Sequence, residues 1–213
     1  MIFVCAMTMA QTNAYPLLPM PQNYKVTDKS FAMGKVKLST PVLESEWEAF
    51  IVNAGGELAD KAAAEIKVEL LPVIDGVKLN PDEAYRLSVS GKLIKIEAVT
   101  ERGVYWALQT LRQLEKKKGK KSLFAGCEIV DWPAFRIRGF MQDVGRSYIS
   151  VEELKREIEI LSRFKINVFH WHLTENQAWR LESKIFPMLN DSINTVRMPV
   201  SYTHLRAHET CAD

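Results

Sequence analysis

The chain has 213 residues, 47% of them hydrophobic and 25% charged, a composition that supports a packed core and excludes a disordered or fibrous chain. Lys and Arg number 28 against 26 Asp and Glu, a net charge of +2. With no basic stripe, the phosphate-neutralising surface that nucleic-acid binding needs is excluded, and the length fits one small domain plus part of another.

Residues Met1 to Ala10 (MIFVCAMTMA) are almost wholly apolar and too short to cross a bilayer, and small and polar residues follow to Ala14. This fits the apolar core of a secretory signal peptide over residues 1–14, cleaved near Ala10 or Ala14, and predicts a secreted or periplasmic protein. A basic start is absent, and the alternative is a buried N-terminal strand. No later apolar run is long enough for a membrane span. Of the 3 cysteines, Cys5 lies in that leader and Cys211 in the tail. Cys127 is therefore expected to stand alone, with neither a disulfide framework nor a cysteine metal site.

From Glu65 the pattern takes period two. Ile66, Val68 and Leu70 alternate with Glu65, Lys67 and Glu69, and Tyr85, Leu87 and Val89 repeat the pattern. After Ser90-Gly91, Ile94 and Ile96 alternate with Lys95 and Glu97, which predicts two antiparallel strands on a short connection. Val104, Leu108, Leu111 and Leu114, with Tyr105 beside them, then form one apolar stripe. That spacing predicts a helix from Glu101 to Lys117, ended by Lys116, Lys117 and Lys118 before Gly119, where cations suit the negative end of the dipole. The run KKKGKK reads as a solvated helix end and loop. Strands followed by one packed helix make a small α+β domain over residues 16–130. It holds no nucleophile with a base and no phosphate loop, so its expected role is structural or docking.

Asp131-Trp132-Pro133 punctuates the chain, and a second domain is expected over residues 131–198. Phe135 to Met141 reads as a short strand ending at Asp143-Val144-Gly145-Arg146. Ser150 and Glu153 form an S-x-x-E capping box before a helix whose Val151, Leu154, Ile158 and Leu161 recur at helical spacing. Ile166 to Leu173 (INVFHWHL) is near-continuously apolar, as a strand buried on both faces of a parallel sheet should be. Strand, helix and strand make one right-handed βαβ unit.

Polar residues gather past the ends of both strands: Asp143 and Arg146 after the first, and Glu175, Asn176, Gln177 and Arg180 after the second. Active sites of parallel α/β folds sit at that edge. A guanidinium offers paired donors that suit vicinal sugar hydroxyls or carboxylates, and a nearby carboxylate can orient an amide or a histidine. For Arg146 the competing assignment is an ion pair with Asp143; for Glu175 it is a solvated loop carboxylate. His170 and His172 share a strand face. Two such histidines can chelate a metal, but no carboxylate or cysteine stands at a ligand-like spacing, so histidines packed and hydrogen-bonded inside are expected and no metal site. Trp171 and Trp179 fit a core or a wall better than a sugar platform. The tail 199–213 breaks the preceding character and resembles the translation of a sequencing adapter. Its His204 and His208, at i, i+4, lack a third ligand.

Residues Arg138 to Tyr148 (RGFMQDVGRSY), Lys165 to Arg180 (KINVFHWHLTENQAWR) and Phe186-Pro187 resemble the opening of the catalytic barrel of family 20 glycoside hydrolases, the β-N-acetylhexosaminidases. Thr100 to Leu114 (TERGVYWALQTLRQL) resembles the small α+β domain that precedes that barrel, and the resemblance spans residues 16–198. It implies an α+β N-terminal domain followed by the start of a (β/α)8 TIM barrel. It also implies retaining hydrolysis in which the substrate's own 2-acetamido oxygen attacks the anomeric carbon, a substrate-assisted exception to the two-carboxylate scheme. No cofactor is implied. On this resemblance Arg146 binds hydroxyls of the terminal N-acetylhexosamine, and Glu175 belongs to a carboxylate and histidine relay that steadies the general acid. Asp143, His172 and Asn176 are secondary candidates.

Two departures stand out: Thr174-Glu175-Asn176 where the family usually has Thr-Asp-Asp, and Arg146-Ser147 where it has Arg-His. The Asp-Glu pair that polarises the acetamide and protonates the leaving group belongs to a later barrel strand. A barrel needs eight strands and ~250 residues, so the chain is expected to be an incomplete, inactive piece of an exo-β-N-acetylhexosaminidase. The parent would act on N-acetylglucosamine- or N-acetylgalactosamine-terminated oligosaccharides or glycoconjugates. The competing readings are a retaining hydrolase of another N-acetylglucosaminide or glucuronide, and a non-catalytic carbohydrate-binding or docking module.

Overall fold

The computed structural model describes residues 16–175 and 178–190. The leader expected over residues 1–14, Asn176, Gln177, Cys5, Cys211 and the tail with His204 and His208 lie outside them. The chain separates into two compact units, Met1–Arg136 and Ile137–Asp213. Among the described residues no helix is long and apolar enough to cross a membrane.

Unit 1 runs β1 (Asn23–Val26), β2 (Phe31–Ala32), β3 (Lys35–Ser39), α1 (Glu44–Asn53), β4 (Glu57–Leu58), β5 (Ala64–Leu70), β6 (Tyr85–Ser90), β7 (Leu93–Ala98), α2 (Glu101–Gln113), β8 (Glu115–Lys118), β9 (Lys121–Phe124) and β10 (Cys127–Asp131). Seven strands form a mixed sheet in the order β1-β10-β6-β7-β5-β3-β4, and β2-β9-β8 form a second. The period-two reading holds in β6 and β7 and in β5 as far as Val68, while Leu70 at the end of β5 is exposed. Ile66, Val68, Tyr85, Leu87, Val89, Ile94 and Ile96 are buried in one core with Val104, Leu108 and Leu111 of α2. The polar positions between them form a chain of ion pairs: Arg86 to Glu97 at 3.2 Å, Glu97 to Lys95 at 2.7 Å, Lys95 to Glu69 at 3.1 Å and Glu69 to Lys67 at 2.7 Å. Hydrogen bonds from Lys95 and from Lys67 hold the Glu97 and Glu69 carboxyls, respectively, below their usual range. The expected β6–β7 hairpin has its loop at Gly91-Lys92, where Gly91 takes φ +56°, the left-handed backbone a two-residue turn demands.

Two differences from the sequence pattern have clear causes. The helix expected to reach Lys117 stops at Gln113, and Glu115–Lys118 form β8 instead, antiparallel to β9. Strand pairing takes these residues because Gly119, at φ +65°, closes a hairpin. Lys117 meets Glu115 at 2.6 Å and donates to the Asn53 carbonyl at 2.8 Å. The lysine run is therefore a hairpin, largely solvated, not a helix end. Helix α1, unflagged by sequence pattern, buries Trp47, Phe50 and Ile51. In α2, Gly103 allows close approach to the sheet: a Cβ there would lie 2.3 Å from the Ala84 carbonyl oxygen. Cys127 is the free cysteine among the described residues, and burial pushes its thiol up to about 12.

Unit 2 contains β11 (Gly139–Asp143), α3 (Val151–Arg163), β12 (Val168–His172), β13 (Thr174–Glu175), β14 (Ala178–Trp179) and a 3-10 turn at Pro187–Asn190. β11 and β12 are parallel, with Gly139 opposite Val168 and Asp143 opposite His172, so strand, helix and strand appear as expected. The first strand starts at Gly139, not Phe135, because its partner β12 begins only at Val168. Before it, Arg138 N–H donates to Asn167 Oδ1 at 2.9 Å. The capping box forms: Ser150 Oγ accepts from Glu153 N–H at 3.2 Å and Glu153 Oε2 accepts from Ser150 N–H at 3.1 Å. After α3, Lys165 takes φ +61°, and the Ile166 N–H returns to the Leu161 carbonyl at 3.2 Å, a left-handed helix stop usually left to glycine. Burial of β12 on both faces is not realised. Val168 and Trp171 are more than a third exposed, and among the described residues β12 pairs with β11 alone.

Candidate functional site

Parallel pairing of β11 and β12 sets Asp143 and His172 side by side at the C-terminal ends of the two strands. The chain then leaves β11 in a tight turn. Val144 N–H donates to the His172 carbonyl at 3.0 Å, and the N–H groups of Gly145 and Arg146 donate to Asp143 Oδ1 at 2.9 and 3.1 Å, a carboxylate-capped turn of the kind aspartate forms locally. The turn brings the Arg146 side chain back over Asp143, with Nη1 donating to Asp143 Oδ2 at 2.8 Å. From β13, Glu175 reaches the same guanidinium, accepting from Nη2 on Oε2 at 3.0 Å. Gly145 makes that approach possible, because a Cβ at this position would lie 2.8 Å from the Glu175 Cβ.

His172 completes the group. Its Nε2 lies 2.8 Å from the Thr174 carbonyl oxygen, which fits an Nε2–H tautomer, and 3.6 Å from Glu175 Oε2. Its Nδ1 lies 3.9 Å from Asp143 Oδ2. The side chains of Asp143 and Glu175 are 16% and 24% exposed and that of Arg146 is 46% exposed, so the carboxylates sit behind an accessible guanidinium. Burial alone would raise the Asp143 pKa. The N–H groups of Arg146 and Gly145, with the charges of His172 and Arg146, outweigh it and hold the carboxyl below its usual range.

Four of the residues expected from sequence, Asp143, Arg146, His172 and Glu175, thus meet in one cluster, while Asn176 lies outside the described residues. The alternative for Arg146, an ion pair with Asp143, is realised together with a second pair to Glu175. Glu175 is not a solvated loop carboxylate. His170 departs from the expectation of a packed histidine: it is exposed, its ring 6.3 Å from that of His172. No group of three or more His, Cys, Asp or Glu able to hold a metal occurs among the described residues. Arg180 serves as a tether, its Nε donating to the Val144 carbonyl at 2.9 Å and its guanidinium 5.6 Å from the Tyr148 ring centre. Sequence reasoning missed Gly145, whose small size matters only because Glu175 folds back onto it.

Unit 1 has a recess of ≈ 490 Å³ at the start of α2, lined by Leu43, Asp82, Thr100, Arg102, Tyr105 and Trp106. Its polar groups bind one another: Arg102 meets Asp82 at 3.4 Å, Thr100 Oγ1 donates to the Asp82 carbonyl and Trp106 Nε1 donates to Glu83 at 2.6 Å. The cluster in unit 2 is the stronger candidate, since it presents an accessible guanidinium fixed by two carboxylates at the C-terminal ends of parallel strands.

Comparison with known proteins identifies the family of both units. The model described as glycosyl hydrolase family 20, domain 2, matches residues 14–132, and that described as glycosyl hydrolase family 20, catalytic domain, matches residues 135–204. The beta-hexosaminidase of Porphyromonas gingivalis is 34% identical over 82% of this chain, and the match spans 24% of that protein. That of Vibrio furnissii is also 34% identical over 82% of this chain, spanning 29% of its own length. The chain thus covers about a quarter of the length of these relatives. Among solved structures, the exo-β-N-acetylglucosaminidase of Vibrio harveyi in complex with N-acetylglucosamine matches with TM-score 0.69 and 34% identity, over 83% of this chain and 28% of that one. The β-N-acetylhexosaminidase of Bacteroides fragilis matches with TM-score 0.70 and 30% identity, over 83% of this chain and 37% of that one.

Proposed function

The chain belongs to glycosyl hydrolase family 20, and on that premise we propose that the protein its gene encodes is an exo-β-N-acetylhexosaminidase. It releases terminal N-acetylglucosamine or N-acetylgalactosamine from oligosaccharides or glycoconjugates. In this reading unit 1 is the small domain ahead of the catalytic one, and β11, α3 and β12 open a (β/α)8 barrel whose ligand site lies at the C-terminal ends of its strands. Export to the periplasm or medium, through the apolar segment at residues 1–14, belongs to the same proposal.

One observation carries the reading: the Arg146 guanidinium, held by Asp143 and Glu175 at the ends of two parallel strands. Its donors have the fork geometry that suits a pair of vicinal hydroxyls on a terminal sugar. With the sugar gripped there, the 2-acetamido oxygen attacks the anomeric carbon, and the ring needs no enzyme carboxylate as nucleophile. Glu175 and His172, 3.6 Å apart, form the near end of the relay that steadies the general acid. Glu175 contacts Arg146 as well, so here the longer carboxylate links the sugar-gripping group to the relay.

The test is a panel of aryl glycosides offered to the protein as its gene encodes it. The N-acetyl-β-glucosaminide and N-acetyl-β-galactosaminide should be turned over at least about 10³-fold faster than the β-glucoside or β-glucuronide, because substrates without the acetamide lack the nucleophile. Equal turnover across the panel, or none of any member, would overturn the reading.

A further inference from the structure

We propose that Asp143 is a positioning residue: it presets the Arg146 guanidinium for the sugar, with Glu175 as the second arm of the same clamp. The inference rests on the ligand role given to Arg146 above and adds to it the means by which that side chain is held. An arginine with nearly half its side chain exposed samples many rotamers, and binding would have to freeze them. Here the order of restraint is fixed. Asp143 Oδ1 is occupied by two backbone donors, the N–H groups of Gly145 and Arg146, so the carboxylate cannot rotate without breaking both. Oδ2 is thereby aimed at Nη1, at 2.8 Å, while Glu175 engages Nη2 at 3.0 Å. A planar guanidinium gripped at both terminal nitrogens cannot turn about its own axis. Its remaining N–H groups then face the ligand in one orientation.

The alternative, that these pairs simply stabilise the fold, is weak on magnitude, since ion pairs to an arginine nearly half exposed contribute little to stability. The two roles separate in a double-mutant cycle on an aryl N-acetyl-β-glucosaminide, using the protein as its gene encodes it. Asp143→Asn should lower kcat/KM by about 10- to 100-fold when Arg146 is present and by less than about 2-fold in the Arg146→Ala background. Its melting temperature should stay within about 3 °C of the parent. If Asp143→Asn does not fold, Asp143→Ser, whose hydroxyl can still cap the turn, runs the same cycle with the same expected non-additivity. An equal loss in both backgrounds, or no loss in either, overturns the proposal. An Arg146→Ala protein with unchanged activity overturns the ligand role itself, an outcome distinct from additivity.

Discussion

In unit 1 the inward positions of the strands and of α2, Ile66, Val68, Leu87, Ile94, Ile96 and Leu108, are 0–4% exposed. In unit 2 the corresponding apolar positions, Phe140, Met141, Ile158, Phe164, Val168 and Trp171, are 37–51% exposed. Both units follow the same grammar of alternating strands and a striped helix. Unit 1 packs these faces against one another in a single core. The two paired strands and single helix of unit 2 carry more apolar surface than they can cover themselves, and contiguous exposed surface of that kind marks a place where further structure packs. Unit 1 thus holds the closed core, while unit 2 shows open apolar faces among its described residues and carries the charged cluster.

The contrast is broken or sharpened first by truncating one apolar residue on the helix of each unit. Leu108→Ala, in a closed core, should destabilise by about 2–5 kcal/mol, whereas Ile158→Ala, 46% exposed, should cost less than about 1 kcal/mol. Equilibrium urea unfolding measures both, and equal costs would remove the distinction. A smaller effect is expected at Gly103. Helix propensity alone favours Gly→Ala by about 1 kcal/mol, but the new Cβ would lie 2.3 Å from the Ala84 carbonyl oxygen. Overpacking costs about 1–3 kcal/mol. Gly103→Ala should therefore be net destabilising by up to about 2 kcal/mol in the same assay, and a stabilised variant would show that α2 sits less tightly on the sheet than described.

Elements whose determinants are local could be read from the sequence. Strands β5, β6 and β7, helix α2 up to Gln113 and the Ser150–Glu153 box follow from spacing within a few residues. What escaped depends on distant partners. Helix α1 is preceded by Leu43 at φ +56° with no side-chain cap, so its start carries no local signal; its end does, in Gly55 at φ +75°, but a stop alone does not announce a helix. β8 is polar throughout and becomes a strand by pairing with β9. The site was legible for a related reason: Asp143, Arg146, His172 and Glu175 stand where parallel strands end, and strand ends can be located in sequence. Their mutual geometry was not legible. That Glu175 reaches Arg146, and that Gly145 clears its way, requires β13 to fold back over the turn after β11.

The most direct measurement is the kcat/KM of Arg146→Ala, in the protein as its gene encodes it, on an aryl N-acetyl-β-glucosaminide. Losing charge-assisted hydrogen bonds to sugar hydroxyls removes roughly 3–4 kcal/mol, which predicts a fall of about 10²- to 10³-fold. A value indistinguishable from that of the unmodified protein would contradict the assignment of the β11–β13 cluster as the sugar-binding site.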